Sequence, residues 1–176
     1  MSNKKKQRRA KYKKIAPGAI AAMWEIVNYA RRCGLEPSLL ELVKLRASLI
    51  NGCAYCADMH AQGARSLGES ERRLYTITVW RETPFFTPRE QAALAWTEAI
   101  TEINHHHVPD ELYVFAHQHF NEKELVNLTM AVIAINSWNR LAITFRSMAE
   151  LSHPGDGGRA APEPARSNQH QADNVS

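Results

Sequence analysis

Residues 41–60 read ELVKLRASLINGCAYCADMH. Cys53 and Cys56 form a Cys-x-x-Cys pair, His60 follows four residues after the second cysteine, and Glu41 lies twelve residues before the first. If Asn51 or Gly52 opens a helix, Cys53, Cys56 and His60 share one side of it, because residues three and four apart are neighbours on a helix surface. Two cysteines so spaced stand roughly 5–6 Å apart at Cβ, and a small adjustment brings them to the roughly 4 Å of a disulfide. A helix N-terminus also favours the thiolate. Glu41 falls on a polar stripe with Lys44 and Ser48. If the chain folds back after Asn51-Gly52, that stripe comes to lie beside His60. Otherwise Glu41 is a solvated charge paired with Lys44 at i,i+3.

A Cys-x-x-Cys pair can also be half of a zinc site. His60 would then be a third ligand, with a fourth from the run His105-His106-His107. No second Cys-x-x-Cys is present, and the remaining thiol is Cys33. The combination of two cysteines, His60 and Glu41 favours a working thiol pair over a metal. Cys33, without a basic or histidine partner three or four residues after it, reads as a packing residue.

The pattern Glu41–x11–Cys53–x2–Cys56–x3–His60 resembles the active-site signature of the AhpD-like alkylhydroperoxidases of the carboxymuconolactone decarboxylase superfamily. The resemblance extends through FTPREQAALAWTEAIT and ELVNLTMAVIAINSWNRLAITFR and covers roughly residues 16–148. It departs from the pattern at Tyr55, where some members carry a second histidine. It implies the AhpD-like helical fold, a homo-oligomer (trimer or hexamer), and reduction of organic hydroperoxides, with disulfide reduction or redox sensing by the same thiol pair as the alternative. Electrons would come from an external thiol or lipoyl-type reductant, and no cofactor is implied. Cys56, nearest to His60, would be the attacking thiolate and Cys53 the resolving thiol. His60 would move the proton and Glu41 would orient the imidazole.

Charge is unevenly spread along the 176 residues. Residues 1–14 hold eight basic side chains and no acidic one, whereas residues 15–150 hold twelve basic and fifteen acidic. The formal net charge of +4 therefore belongs to the N-terminal segment. Residues 1–15 read as a basic, disordered tail rather than a nucleic-acid arm, and 151–176, rich in Gly, Pro, Ser and Gln, as a second disordered tail. No apolar run follows the basic segment as a secretory signal requires, and none approaches the roughly 20 residues of a membrane span. With three cysteines and no signal, the expected compartment is the reducing cytoplasm.

Between the tails, residues 16–150 read as a single all-α domain of six or seven helices. Pro17-Gly18 opens the first helix, which Gly34 ends, and Pro37 opens the second. The third carries the site to about Leu67, with Gly68 as its stop. A short helix starts at Ser70. The run LYTITVW has strand propensity, but with no partner strand it is assigned to helix. Residues 81–87 form a loop in which Phe85 and Phe86 pack into the core or an interface. Thr87-Pro88-Arg89-Glu90 is a capping box opening a helix that ends near Asn104. His105–His107 follow as a solvated turn. Asp110 starts a helix to about Phe120, and Asn121 with Glu124 opens the last helix, 122–147. That helix is apolar over much of its circumference, which predicts burial on nearly all sides and subunit contacts.

Overall fold

The computed structural model describes residues 7–148. They form helices α1 (Tyr12–Ile15), α2 (Pro17–Arg32), α3 (Pro37–Ile50), α4 (Ala54–Ser66), α5 (Glu71–Thr76), a 3₁₀ helix (Ile77–Glu82), α6 (Pro88–Thr101), α7 (Ile103–His106), α8 (Asp110–His117) and α9 (Glu122–Thr144). No strand occurs among the described residues. The count exceeds the expected six or seven because of three short elements: α1, α7 and the 3₁₀ helix. LYTITVW is helical throughout but changes type at Ile77, with a kink at Val79.

Local chemistry explains most boundaries. Proline occupies the first turn of α2, α3 and α6, where its missing N–H leaves no bond unmade. Thr87 with Glu90, and Asn121 with Glu124, each form a complete capping box. At the end of α4, Gly68 takes a φ of +90°. Its N–H donates to Arg65 O and that of Glu69 to Ala64 O, a Schellman closure. The histidine run departs from expectation: it is not a free turn, since α7 extends through His106 and His107 turns the chain at φ +50°.

The centre of the molecule is α3, which packs against α4, α6 and α9. Its Leu42 and Val43 are wholly buried, each stabilising the fold by roughly 1.5–3 kcal/mol of transfer free energy. One core cluster joins α2, α3, α6, α8 and α9 around Val43, Trp96, Phe120 and Leu128. A second joins α3, α4, the 3₁₀ helix and α6 around Leu42, Ile77, Trp80 and Leu94, and Phe86 enters it from the 81–87 loop. The helix buried nearly all round is α6, where every residue from Ala92 to Glu98 is buried. Sequence hydropathy assigns that role to the last helix, but α9 leaves Val126 and Ile133 exposed. It also ends at Thr144, three residues earlier than expected.

Part of the expected N-terminal tail is ordered. Arg9 donates from its backbone N–H to Phe145 O and from Nη1 to Thr144 O, both at 3.1 Å. Tyr12 lies against the Phe145 ring. These contacts occupy carbonyls at the C-terminal end of α9, where a cation is favoured by the helix dipole. Residues 1–6 and the expected tail 151–176 lie outside the described residues.

Candidate active site

The site is built on the α3–turn–α4 hairpin. After Ile50 the chain turns through Asn51 and Gly52, the latter at φ +68°. That left-handed conformation costs an L-residue with a Cβ roughly 1–2 kcal/mol. Asn51 Nδ2 donates to Ala47 O and to Asn136 Oδ1 of α9, and Asn136 in turn donates to Thr101 Oγ1 of α6. The turn is thus tied to two other helices through Asn51 and the buried Asn136 amide, which fixes the angle at which α4 leaves it.

The residue that caps α4 is Cys53, one or two residues later than expected. Its sulfur accepts the Cys56 N–H at 3.4 Å, in the position a serine or aspartate oxygen commonly holds. Cys53 and Cys56 are both free thiols, 2% and 1% exposed. They sit in a third cluster with Ala47, Ile135 and Ala142, walled by Tyr55 and Trp138. Trp138 in turn packs against Trp24 of α2, the two rings tilted at 55°. The two thiols do not ionise alike. The Cys56 S–H bond to its sulfur lowers Cys53 to about 7 against the opposing effect of burial, and the N–H groups of Cys56 and Tyr55 add to the lowering. Cys56 is pushed up, because its proton is held by Cys53 and it is buried. The pair therefore loses one proton readily and keeps the second.

The fold-back brings Glu41 to His60. His60 Nδ1 donates to Glu41 Oε2 at 2.8 Å, while Lys44 Nζ donates to Glu41 Oε1 at 2.5 Å. Both expected partners of Glu41 are thus engaged, one on each oxygen. Burial raises the Glu41 pKa, but the bond from His60 and the charge of Lys44 outweigh it and hold the carboxyl at about 2. Burial lowers His60, and the bond to Glu41 offsets this only in part. At neutral pH the pair is therefore a carboxylate holding a neutral imidazole by its Nδ1–H, which leaves the Nε2 lone pair to accept a proton. Among the described residues the ring makes no hydrogen bond to either sulfur, so sulfur and imidazole are neighbours along α4 rather than bonded partners.

Among the described residues no group of three or more His, Cys, Asp or Glu side chains could hold a metal ion. Cys33 donates to Ala30 O at 2.9 Å and packs against the first core cluster, in the role its sequence context indicates. Sequence reasoning missed the amide chain Asn51–Asn136–Thr101 and the glycine at 63. The signal for the first was available: Asn127, Asn136 and Asn139 are buried polar residues inside the apolar pattern of α9.

The carboxymuconolactone decarboxylase family profile matches residues 17–99, a span containing all four site residues. The uncharacterised protein YdfG of Bacillus subtilis is 40% identical over 141 residues, covering 80% of this chain and 96% of YdfG. The chain belongs to the carboxymuconolactone decarboxylase family. Its AhpD-like character is supported by the crystal structure of an Agrobacterium tumefaciens protein of unknown function, named there as a candidate antioxidant defence protein AhpD. That structure matches with a TM-score of 0.81 and 42% identity, over 83% of this chain and all of the other. The debrominase Bmp8 in its apo form has the same fold at 16% identity and a TM-score of 0.68, over 78% of this chain and 74% of its own. The carboxymuconolactone decarboxylase fold therefore carries enzymes of more than one chemistry, and a thiol pair is present in this one. No helix among the described residues is long and apolar enough to cross a membrane.

Proposed function

We propose that this protein is a thiol-dependent peroxidase that reduces organic hydroperoxides through the Cys53–Cys56 pair. The observation that carries the reading is a buried thiol pair at a helix N-terminus, the Cys53 sulfur accepting the Cys56 N–H, next to an imidazole already bonded to a carboxylate. Sequence proximity to His60 gives the attack to Cys56, but the resting charge is better held at the Cys53 cap. The thiolate is the nucleophile, so the proposal gives the attack to Cys53 and the resolving step to Cys56.

The steps balance as follows. His60 Nε2 takes the first proton, through water because the ring and sulfur are not in contact. The Cys53 thiolate attacks the terminal peroxide oxygen, the O–O bond breaks, and the leaving alkoxide takes the Cys56 proton to depart as an alcohol. Cys53 is now a sulfenic acid. The Cys56 thiolate attacks that sulfur, a disulfide forms, and the departing hydroxide takes the proton held on His60 to leave as water. Glu41 steadies the imidazolium while it carries the proton. An external dithiol of the lipoyl type, or another thiol, then reduces the disulfide by exchange. The assembly is proposed to be a homo-oligomer.

The test is peroxide consumption with dihydrolipoamide as reductant, together with sulfenic-acid trapping. The intact pair should consume peroxide and lose two alkylatable thiols together. Cys53→Ser should abolish attack, and Cys56→Ser should leave a trappable sulfenic acid on Cys53. The opposite pattern would return the attack to Cys56. Unchanged alkylation of both thiols after hydroperoxide would overturn the peroxidase reading, and a halogenated aromatic, in view of the debrominase neighbour, becomes the next electrophile to assay.

A further inference from the structure

Gly63 lies in α4, one turn past His60, with an ordinary helical backbone. A Cβ at this position would stand 2.9 Å from Glu41 Oε2, 3.1 Å from Glu41 Cδ and 3.6 Å from Glu41 Cγ. The first distance is closer than a methyl group and an oxygen approach. The Glu41 carboxylate therefore occupies the volume that a side chain at 63 would fill. It is also held on both oxygens, Oε2 by His60 Nδ1 and Oε1 by Lys44 Nζ, so it cannot swing aside without loosening one of those bonds. A glycine in a helix interior is less favourable than alanine by roughly 0.5–1 kcal/mol. Here that cost accompanies a specific clearance: α3 and α4 approach closely enough for a full-length glutamate to cross from one to the imidazole of the other.

We infer that Gly63 is a positioning residue of the Glu41–His60 pair, its absent side chain being the seat of the Glu41 carboxylate. The consequence for sulfur chemistry rests on the site being a thiol redox centre; the geometry of the seat does not.

The test uses the full chain and two readouts that need no peroxide. One is the titration of the His60 ring by NMR, with the resonance assigned by its loss in His60→Gln. The other is the pH dependence of thiol alkylation. Gly63→Ala should lower the His60 midpoint, because Glu41 is what raises it against burial. It should also slow alkylation at pH 7 by about fivefold, the loss of thiolate when a midpoint near 7 rises by one unit. Adding Glu41→Asp, which withdraws the carboxylate by one carbon, should recover part of both losses, so the two changes should be non-additive. Gly18→Ala in α2, where a Cβ would meet nothing within 4 Å, should leave both readouts unmoved. A wild-type His60 titration in Gly63→Ala, or strict additivity with Glu41→Asp, would overturn the assignment. Failure of the peroxidase reading would look different: no peroxide consumption in the wild type, with the His60 shift in Gly63→Ala intact.

Discussion

At Cys53 a thiol does the work that serine or aspartate oxygens do at most helix starts. The thiol is lowered to about 7 chiefly by the Cys56 S–H bond, and the orphan N–H of α4 that it caps adds to that lowering. Alkylation of the reduced protein should therefore rise as pH increases through about 7, below the usual thiol range. Cys56→Ala, which removes the S–H donor, should move that rise to higher pH, and Cys56→Ser, which keeps a donor, should move it less. The outcome to watch for is a Cys56→Ala profile identical to wild type. That would place the activation entirely in the helix terminus.

Glu41 and His60 also make a stability prediction. The Glu41 pKa is lower in the folded chain than in the unfolded one, so the unfolded state binds more protons on acidification. Its contribution is complete above the unfolded value of about 4.5 and is lost as pH falls toward 2. A shift of that size corresponds to at most about 3 kcal/mol. His60 acts in the same direction at higher pH: its folded pKa is depressed, so stability begins to fall once the unfolded ring protonates below about 6.5. Urea denaturation between pH 7 and 3 should show both losses in wild type. The lower one should shrink in Glu41→Gln, while Glu90 and Glu124, also held low by arginine partners, keep the remainder.

Among the elements, the α3–α4 turn decides the most. Gly52 holds φ +68° with nothing within 4 Å of its would-be Cβ, so the constraint there is conformational rather than steric. Gly52→Ala should cost about 1 kcal/mol in urea unfolding, and Gly52→Asn less, because asparagine tolerates the left-handed region. If alanine costs nothing, the turn has another way to close, and the angle between α3 and α4 is set by Asn51 and Asn136 alone.

At the scale of the molecule, α9 leaves apolar surface uncovered along two stretches. A groove of about 830 Å³ runs between α2 and the C-terminal part of α9, lined by Ile20, Met23, Ile26, Leu141 and Phe145. On α9, Val126 and Ile133 stand exposed two turns apart. Single exposed apolar residues are ordinary, but a groove and an apolar edge on the same long helix suit contact with further copies of the chain. Light scattering at micromolar concentration should give a mass that is a multiple of the 19.9 kDa chain. Ile133→Arg should lower that mass, and a monomeric wild type would contradict the expectation. Phe85, an expected contributor to such contacts, is half-buried against the second core cluster, with the Arg72 guanidinium 3.9 Å from its ring centre.

The sequence by itself determined the helical class and most of the helix starts, and it singled out the four candidate residues. Each of these depends on short-range chemistry: proline at a first turn, a Thr or Asn with Glu three residues on, two cysteines and a histidine at helical spacing. Such signals act within one or two turns, so they survive without knowledge of what lies across the core. The tertiary structure alone decided which sulfur accepts an N–H at the start of α4, since Cys53 rather than Asn51 or Gly52 became the cap. It also decided that α6, not α9, is the enclosed helix, because hydropathy records how apolar a surface is but not whether a neighbour covers it. The clearance at Gly63 belongs to the same class. Nothing in a chain marks a glycine as a seat for a carboxylate 22 positions earlier until two helices are laid side by side and the distance between them sets what fits.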